Sequence, residues 1–368
     1  MSVSLENRLS WACRHMPRLA RALQRLPDLN GVRLGCSMHL DVKIAMLVEG
    51  LLQHGAQVYL ITCNPATVRD EVVAYLQSIG AQAQAWKDMP PADYRRAIAD
   101  ALAWEPTHLC EFGADLTVAW LESPSPPPVR ASLEGTGSGI SRLAGLEPPY
   151  PVYNWDDLPV KEGLHNRHMV GLTTWHTFFT RTGLTLHGKR VVVIGYGLVG
   201  QGVVVSARAY GGTVSVVESD PSRRLQATFD GWPVLALEAA LQQADVVVTA
   251  TGVQNVLADE QIRHLRDGAF LLNVGHHAGE IDVSALRGHP HREILPFIEQ
   301  IDLDGRTVYL LAGGEMVNLA AGEGDSLNAF DLTLALMVAG IEYLVGPGSQ
   351  QPPGVYLLPR QAWEPVVY

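Results

Sequence analysis

The chain has 368 residues, more than one ordinary core accommodates and suited to two domains. Hydrophobic residues make up 47% and charged residues 18%, a globular composition with ample apolar mass to bury. A net charge of −11, with no local block of basic residues, argues against non-specific binding to a phosphate backbone.

Cys13, Cys36, Cys63 and Cys110 are scattered, without a C-x-x-C pair or a histidine at zinc spacing. Free thiols in a reducing compartment are expected, and no metal. The N-terminus lacks the apolar core of a signal peptide, and no run of about 18 apolar residues offers a membrane span. The expectation is a cytoplasmic protein acting away from membranes.

Residues 6–26 carry Leu9, Cys13, Met16, Leu19 and Leu23 on one side and arginines elsewhere, which predicts one amphipathic helix. Val32–Leu34 reads as a short strand and HLDVKIAMLVEGLLQHGA as a helix ended by Gly55. QVYLITC and QAQAWK read as strands, with the helix VRDEVVAYLQSIGA between them. DYRRAIADALAW is the next helix and THLCEFGAD the next strand and loop. SPSPPPV, residues 123–129, is a stiff surface loop, since its prolines lack amide donors.

A second series begins near residue 172. LTTWHTFFTRTG, LVGQGVVVSARAYGG, PSRRLQATFDG and DEQIRHLRDG read as helices. GKRVVVIGYG, TVSVVES, ADVVVTATG, AFLLNVG and RTVYLLAGG contain strands. DSLNAFDLTLALMVAGIEYLV is the last long helix. Alternation of this kind predicts α/β architecture with largely parallel sheets. The expected organisation is a substrate-binding α/β domain over residues 1–171, to which 326–368 return, and an inserted Rossmann NAD-binding domain over 172–325. Substrate would bind the first lobe and NAD the second, with a cleft between them.

The Rossmann assignment rests on VVVIGYGLVGQG. Gly195, Gly197 and Gly200 follow a β-branched run and open a helix, flanking Leu198 and Val199. The glycines suit a tight turn, close approach of a pyrophosphate to backbone N–H groups, and close helix–strand packing. Glu218 ends the next strand, 18 residues after Gly200, where an acid accepts hydrogen bonds from the adenosine ribose and repels a 2′-phosphate. NAD is therefore expected rather than NADP.

Several ordered segments together resemble the adenosylhomocysteinase (S-adenosylhomocysteine hydrolase) family: CSMHLDVKIAMLVEGLLQHGAQV, EFGADLT, NWDDLPVKEGLHN, GKRVVVIGYGLVGQG, ESDP, TATG, NVGHHAGEID and GGEMVNLAAGEGD. The resemblance runs from about Gly35 to about Leu358. It implies a homo-oligomeric enzyme that uses NAD as a built-in oxidant on the ribose 3′-hydroxyl of a nucleoside-type substrate. A 3′-ketone acidifies the neighbouring proton, so a modest base suffices to remove it.

Carried over by position, the resemblance makes Lys161 the lysine that assists oxidation, Asn166 its neighbour, and His39 and His276 acid/base candidates. It places Thr249, Thr251, Gly252, Asn273 and Gly275 along the cofactor, Asn318 on the carboxamide, and Glu134 on the ribose. The alternatives are a solvated surface lysine for Lys161, a structural histidine for His39 and mere packing for the threonines.

The departures also carry information. Phe112 stands where the family has an aspartate for proton transfer, and His165 where it has a second ribose-binding aspartate. In the adenine pocket Asp41, Lys43 and Asp325 replace a threonine, a glutamine or glutamate, and a histidine. Each swap changes donor, acceptor or charge. The family's C-terminal extension is not matched, which implies looser, exchangeable NAD. The expected outcome is altered chemistry after 3′-oxidation: epimerisation, elimination or net redox. Ordinary S-adenosylhomocysteine hydrolysis is the alternative, and a non-catalytic nucleotide-binding regulator is the alternative of another class.

Overall fold

The computed structural model describes residues 4–275 and 278–367. Two compact units emerge: Met1–Lys161 with Leu327–Tyr368, and Glu162–Ser326. The first division falls at Lys161 rather than near 171 because Glu162–Met169 forms π-helical turns that run into the helix Val170–Thr182. Those turns pack on the second unit's glycine helix, where a Cβ on Gly202 would sit 1.7 Å from the Arg167 carbonyl oxygen.

In the first unit, strands β1 (Arg33–Met38), β2 (Gln57–Thr62), β3 (Gln82–Ala83), β4 (His108–Glu111), β5 (Ala131–Glu134) and β6 (Pro151–Asn154) join the C-terminal strand Gly354–Leu357. The sheet order is β3-β2-β1-β4-β5-β6 followed by the C-terminal strand, with every pairing parallel. Strand direction of travel reverses between β1 and β4, and the carboxyl ends at such a switch point are where open α/β sheets hold ligands. All but the first residue of β1 are buried, as a central strand covered on both faces requires.

The single N-terminal helix expected over 6–26 is two helices, Leu5–His15 and Pro17–Leu23. Pro17 is the cause: its ring pushes Met16 out of helical geometry, to φ −124°, ψ 60°. The strand expected in QAQAWK shrinks to Gln82–Ala83, an edge pairing with β2 alone. The helix Leu327–Val345 is long and apolar enough to cross a membrane, but 72% of its most apolar window is buried. Its Asp331 accepts from the Leu19 amide at 2.8 Å, which ties the N-terminal helices to it.

The second unit contains β7 (Arg190–Ile194), β8 (Thr213–Val217), β9 (Val246–Thr249), β10 (Ala269–Asn273), β11 (His291–Leu295), β12 (Ile298–Leu303) and β13 (Arg306–Leu311). The order β8-β7-β9-β10-β13 is parallel; β12 and β11 then add antiparallel. This is the α/β, largely parallel architecture expected, with an unforeseen hairpin at one edge. The helix expected across DEQIRHLRDG stops at Ile262. Arg306 takes the carbonyls of Arg263 and Leu265 at 2.9 and 2.6 Å, so those acceptors serve a tertiary contact instead of another turn.

Candidate active site

In the first unit the expected substrate residues gather at the β1/β4 switch point. His39 follows β1 and Phe112 follows β4, their rings 6.1 Å apart. His39 Nδ1 lies 2.8 Å from the Thr67 hydroxyl, which donates to the Asn64 carbonyl at 2.8 Å. A hydroxyl has one proton, so the imidazole donates through Nδ1 and the neutral ring accepts through Nε2. His39 is thereby held in one tautomer, which its position at a helix start did not reveal.

Phe112 fills the position of the family aspartate with an apolar wall. Its ring meets Trp155 edge-on at 5.7 Å, and a Cβ on Gly135 would come within 2.8 Å of it. The missing carboxylate has a counterpart elsewhere. Lys161 is buried, donates to the Gly135 carbonyl at 3.1 Å, and forms an ion pair with Asp156, which is also buried. Lys161 is therefore no solvated surface lysine. The pair, not a lone lysine, is the chemical unit. Asp156 lies in the NWDD segment, but two adjacent aspartates gave no sign of which one turns inward.

Asp41 and Lys43 also pair, at 2.6 Å, where Asp41 caps the helix Val42–Gln53. The Lys43 ammonium lies 5.0 Å from the Phe330 ring centre. Glu134 is the residue expected on the ribose. Fully buried, it accepts from the amides of Gly113, Ala114 and Thr136 and from the Thr136 hydroxyl, at 2.7 to 3.2 Å. Burial and the Glu111 charge push its carboxyl up to about 8 against those donors. The side chain is consumed in holding the loops after β4 and β5.

In the second unit the glycine loop has the expected geometry. Gly195, at φ +100°, would place a Cβ 2.6 Å from the Ala250 carbonyl oxygen, and one on Gly200 would lie 2.1 Å from the Gly195 carbonyl oxygen. Neither position tolerates a side chain. Gly197 differs, because a Cβ there meets only Arg223 Nη1, at 3.7 Å. Its missing side chain leaves open the space that a pyrophosphate needs at the start of the helix Leu198–Ala209, and Arg223 adds a cation the glycine pattern did not mark.

Glu218 follows β8 and is held by the amides of Tyr196, Ser219 and Asp220 at 2.6, 2.8 and 2.9 Å. Glu218→Ala is expected to weaken NAD by roughly 1.5–3 kcal/mol, the worth of a hydrogen bond to a charged group, and to narrow any preference over NADP. Titration calorimetry with both dinucleotides checks this; equal affinity of the unmodified protein for the two would contradict it.

Behind the loop, Glu280 is fully buried and binds the Thr251 amide and hydroxyl and the Gly252 amide, at 2.7 to 2.9 Å. It fixes the TATG turn, and its place in NVGHHAGEID was the available signal. Thr249 and Asn273 are turned inward onto each other at 3.1 Å, and Asn273 also binds the Gly275 amide and the Gly314 carbonyl. His276, with its neighbour His277, lies outside the described residues.

Asn318 is buried, and its Oδ1 has no hydrogen-bond partner among the described residues. An orphaned buried acceptor is costly; here it matches the amide donor of the carboxamide expected on this residue. The glycine cradle and this acceptor both fit NAD.

Asn318 leads to a further group. Its Nδ2 donates to Asp325 Oδ1 at 3.4 Å, Thr173 donates to the same oxygen at 2.7 Å, and His165 Nε2 lies 2.8 Å from Asp325 Oδ2. Asp325, expected in the base pocket, is buried and is the partner of His165. Asn166 is half-buried on the same π-helical segment. Among the described residues no group of three or more His, Cys, Asp or Glu is placed to hold a metal ion.

A doubly wound unit with a buried Lys–Asp pair near its switch point, and another built around a dinucleotide loop, define an NAD-binding α/β enzyme. Residues 177–324 match the NAD binding domain of S-adenosyl-L-homocysteine hydrolase, and residues 6–125 match S-adenosyl-L-homocysteine hydrolase. The chain is 35% identical over 366 residues to S-inosyl-L-homocysteine hydrolase of Methanopyrus kandleri, covering 96% of this chain and 86% of that one. It is 35% identical over 375 residues to adenosylhomocysteinase of Thermotoga maritima, covering 98% and 92%. A second S-inosyl-L-homocysteine hydrolase, from Methanocaldococcus jannaschii, is 31% identical over 367 residues, covering 97% and 88%. The chain belongs to the adenosylhomocysteinase family and is an NAD-dependent enzyme acting on a nucleoside-type small molecule.

Proposed function

We propose that this enzyme oxidises the ribose 3′-hydroxyl of a nucleoside-type substrate and that the outcome differs from ordinary S-adenosylhomocysteine hydrolysis. NAD, when bound, supplies a hydride acceptor for the carbinol carbon. The observation that carries the first half is the buried Lys161–Asp156 pair. As the carbinol carbon gives up its hydride, Lys161 hands one of its protons to Asp156 and takes the hydroxyl proton in its place, so the proton lost by the alcohol ends on the Asp156 carboxyl. The ammonium also donates to the Gly135 carbonyl, which holds Nζ in place. Burying two charges costs several kcal/mol each before pairing, an expense that a protein serving only to bind nucleotide does not require.

Phe112 supports the second half. It sets an apolar ring between His39 and Trp155, where the family has a proton carrier. Elimination at the 5′ side then depends on His39, while a 3′-ketone activates C2′ as readily as C4′. Epimerisation, elimination without hydration and net oxidation are all consistent with this arrangement. Hydrolysis of an S-nucleosylhomocysteine is the second reading, favoured by the accepting Nε2 of His39 and by the names of the hydrolase relatives.

One experiment separates them. Holoenzyme is incubated in D₂O with S-adenosylhomocysteine, S-inosylhomocysteine, adenosine or inosine, and followed by NMR and a thiol reagent. The proposal expects deuterium at C2′ or C4′ with little homocysteine. Homocysteine release at ~1–10³ s⁻¹, a typical enzyme turnover, would make this an ordinary hydrolase.

A further inference from the structure

We propose that His165, aligned by Asp325, is the base that removes and returns the ribose C–H proton; this rests on the 3′-oxidation reading above. The geometry is that of an oriented imidazole. Asp325 is buried; one of its oxygens faces His165 Nε2 at 2.8 Å, and Thr173 and Asn318 bind the other at 2.7 and 3.4 Å. A carboxylate accepts only, so His165 donates through Nε2 and the neutral ring accepts protons through Nδ1. The carboxylate fixes the orientation and tautomer of the ring, as in other carboxylate–histidine pairs.

Two observations tie this pair to the reacting sugar. Asn318, whose amide nitrogen reaches Asp325, presents its orphaned Oδ1 as the carboxamide acceptor, so the network joins the residue that orients the nicotinamide. In sequence, His165 also shares the stretch KEGLH with Lys161. The two departures at 165 and 325 are thus one exchange. Where the resemblance expects an aspartate and a histidine, this chain has a histidine and an aspartate hydrogen-bonded to each other, which brings a titrating ring to the position expected on the ribose. The chemistry balances without another reactant. The C–H bond next to the new carbonyl breaks, its proton goes to Nδ1, and its electron pair remains as the enolate of the ketone.

The test uses holoenzyme and the four nucleosides named above. His165→Asn is expected to retain reduction of bound NAD but to lose solvent deuterium incorporation by roughly 10²–10⁴-fold. Equal loss of both, or of neither, would overturn the proposal; no reduction in the unmodified enzyme would instead refute the oxidation reading. Independently of turnover, ¹⁵N NMR of histidine-labelled protein should show His165 protonated on Nε2, and the opposite tautomer would contradict the dyad. The exchange variant carrying both His165→Asp and Asp325→His should recover thermal stability and NAD affinity but not deuterium incorporation. If it recovers incorporation too, His165 is only a positioning residue. Should that variant not fold, Asp325→Asn, which keeps an acceptor for Nε2, should slow incorporation more than reduction, and equal slowing would count against the base.

Discussion

Lys161→Ala is expected to reduce substrate-dependent NAD reduction by about 10²–10⁴-fold, the usual contribution of a positioned proton-transfer group. NAD binding should be little changed, because the glycine loop, Glu218 and Asn318 all lie in the other unit. The variant should also be less stable. Removing one partner of a buried ion pair typically costs about 3–5 kcal/mol, since Asp156 stays buried without its ammonium. That loss would confuse a simple activity assay, so the companion variant carrying both Lys161→Met and Asp156→Asn is needed. Replacing the whole pair by groups of similar volume is often neutral. The double variant should regain the thermal midpoint without regaining redox turnover. If Lys161→Ala reduces NAD at the original rate, the lysine has no part in oxidation.

Gly202→Ala is expected to destabilise the second unit and weaken NAD together. An added methyl would sit 1.7 Å from the Arg167 carbonyl oxygen, and one at Gly171 would sit 2.4 Å from the Gly202 carbonyl carbon. The helix that begins at the pyrophosphate loop therefore packs backbone to backbone on the segment carrying His165. No flexible side chain can yield here, so the helix itself must shift. Overpacking of this kind costs about 1–3 kcal/mol and sometimes more. The shift should also displace Gly197 and Gly200 from the cofactor. Gly163→Ala, on the same π-helical segment, meets nothing within 4 Å and is the control. Thermal unfolding and NAD titration of both variants measure the contrast. An unchanged midpoint for Gly202→Ala would show that the helix and the segment are not held this closely.

Much of this was legible from sequence where local chemistry decides the outcome. The β-branched run before Gly195 and the glycines themselves dictate strand, turn and helix, and Glu218 falls at the end of the following strand. Pro17 was equally local, and its effect on Met16 outweighed a helical periodicity that continued across it. Side-chain partnerships were not legible. Nothing in NWDD tells which aspartate meets Lys161, and His165 and Asp325 are 160 positions apart. The resemblance put Glu134 on the ribose but gave no sign of the buried amides after β4 from which it accepts. The hairpin β11–β12 was missed because β11 is exposed at all five positions, so its sequence has no apolar face to reveal it.

The most direct measurement is the near-ultraviolet absorbance of the nicotinamide in NAD-loaded enzyme as each nucleoside is added. The band of reduced nicotinamide is expected with at least one of S-adenosylhomocysteine, S-inosylhomocysteine, adenosine and inosine, and is expected to be lost in Lys161→Ala. NAD that stays bound and oxidised in the presence of all four would contradict it.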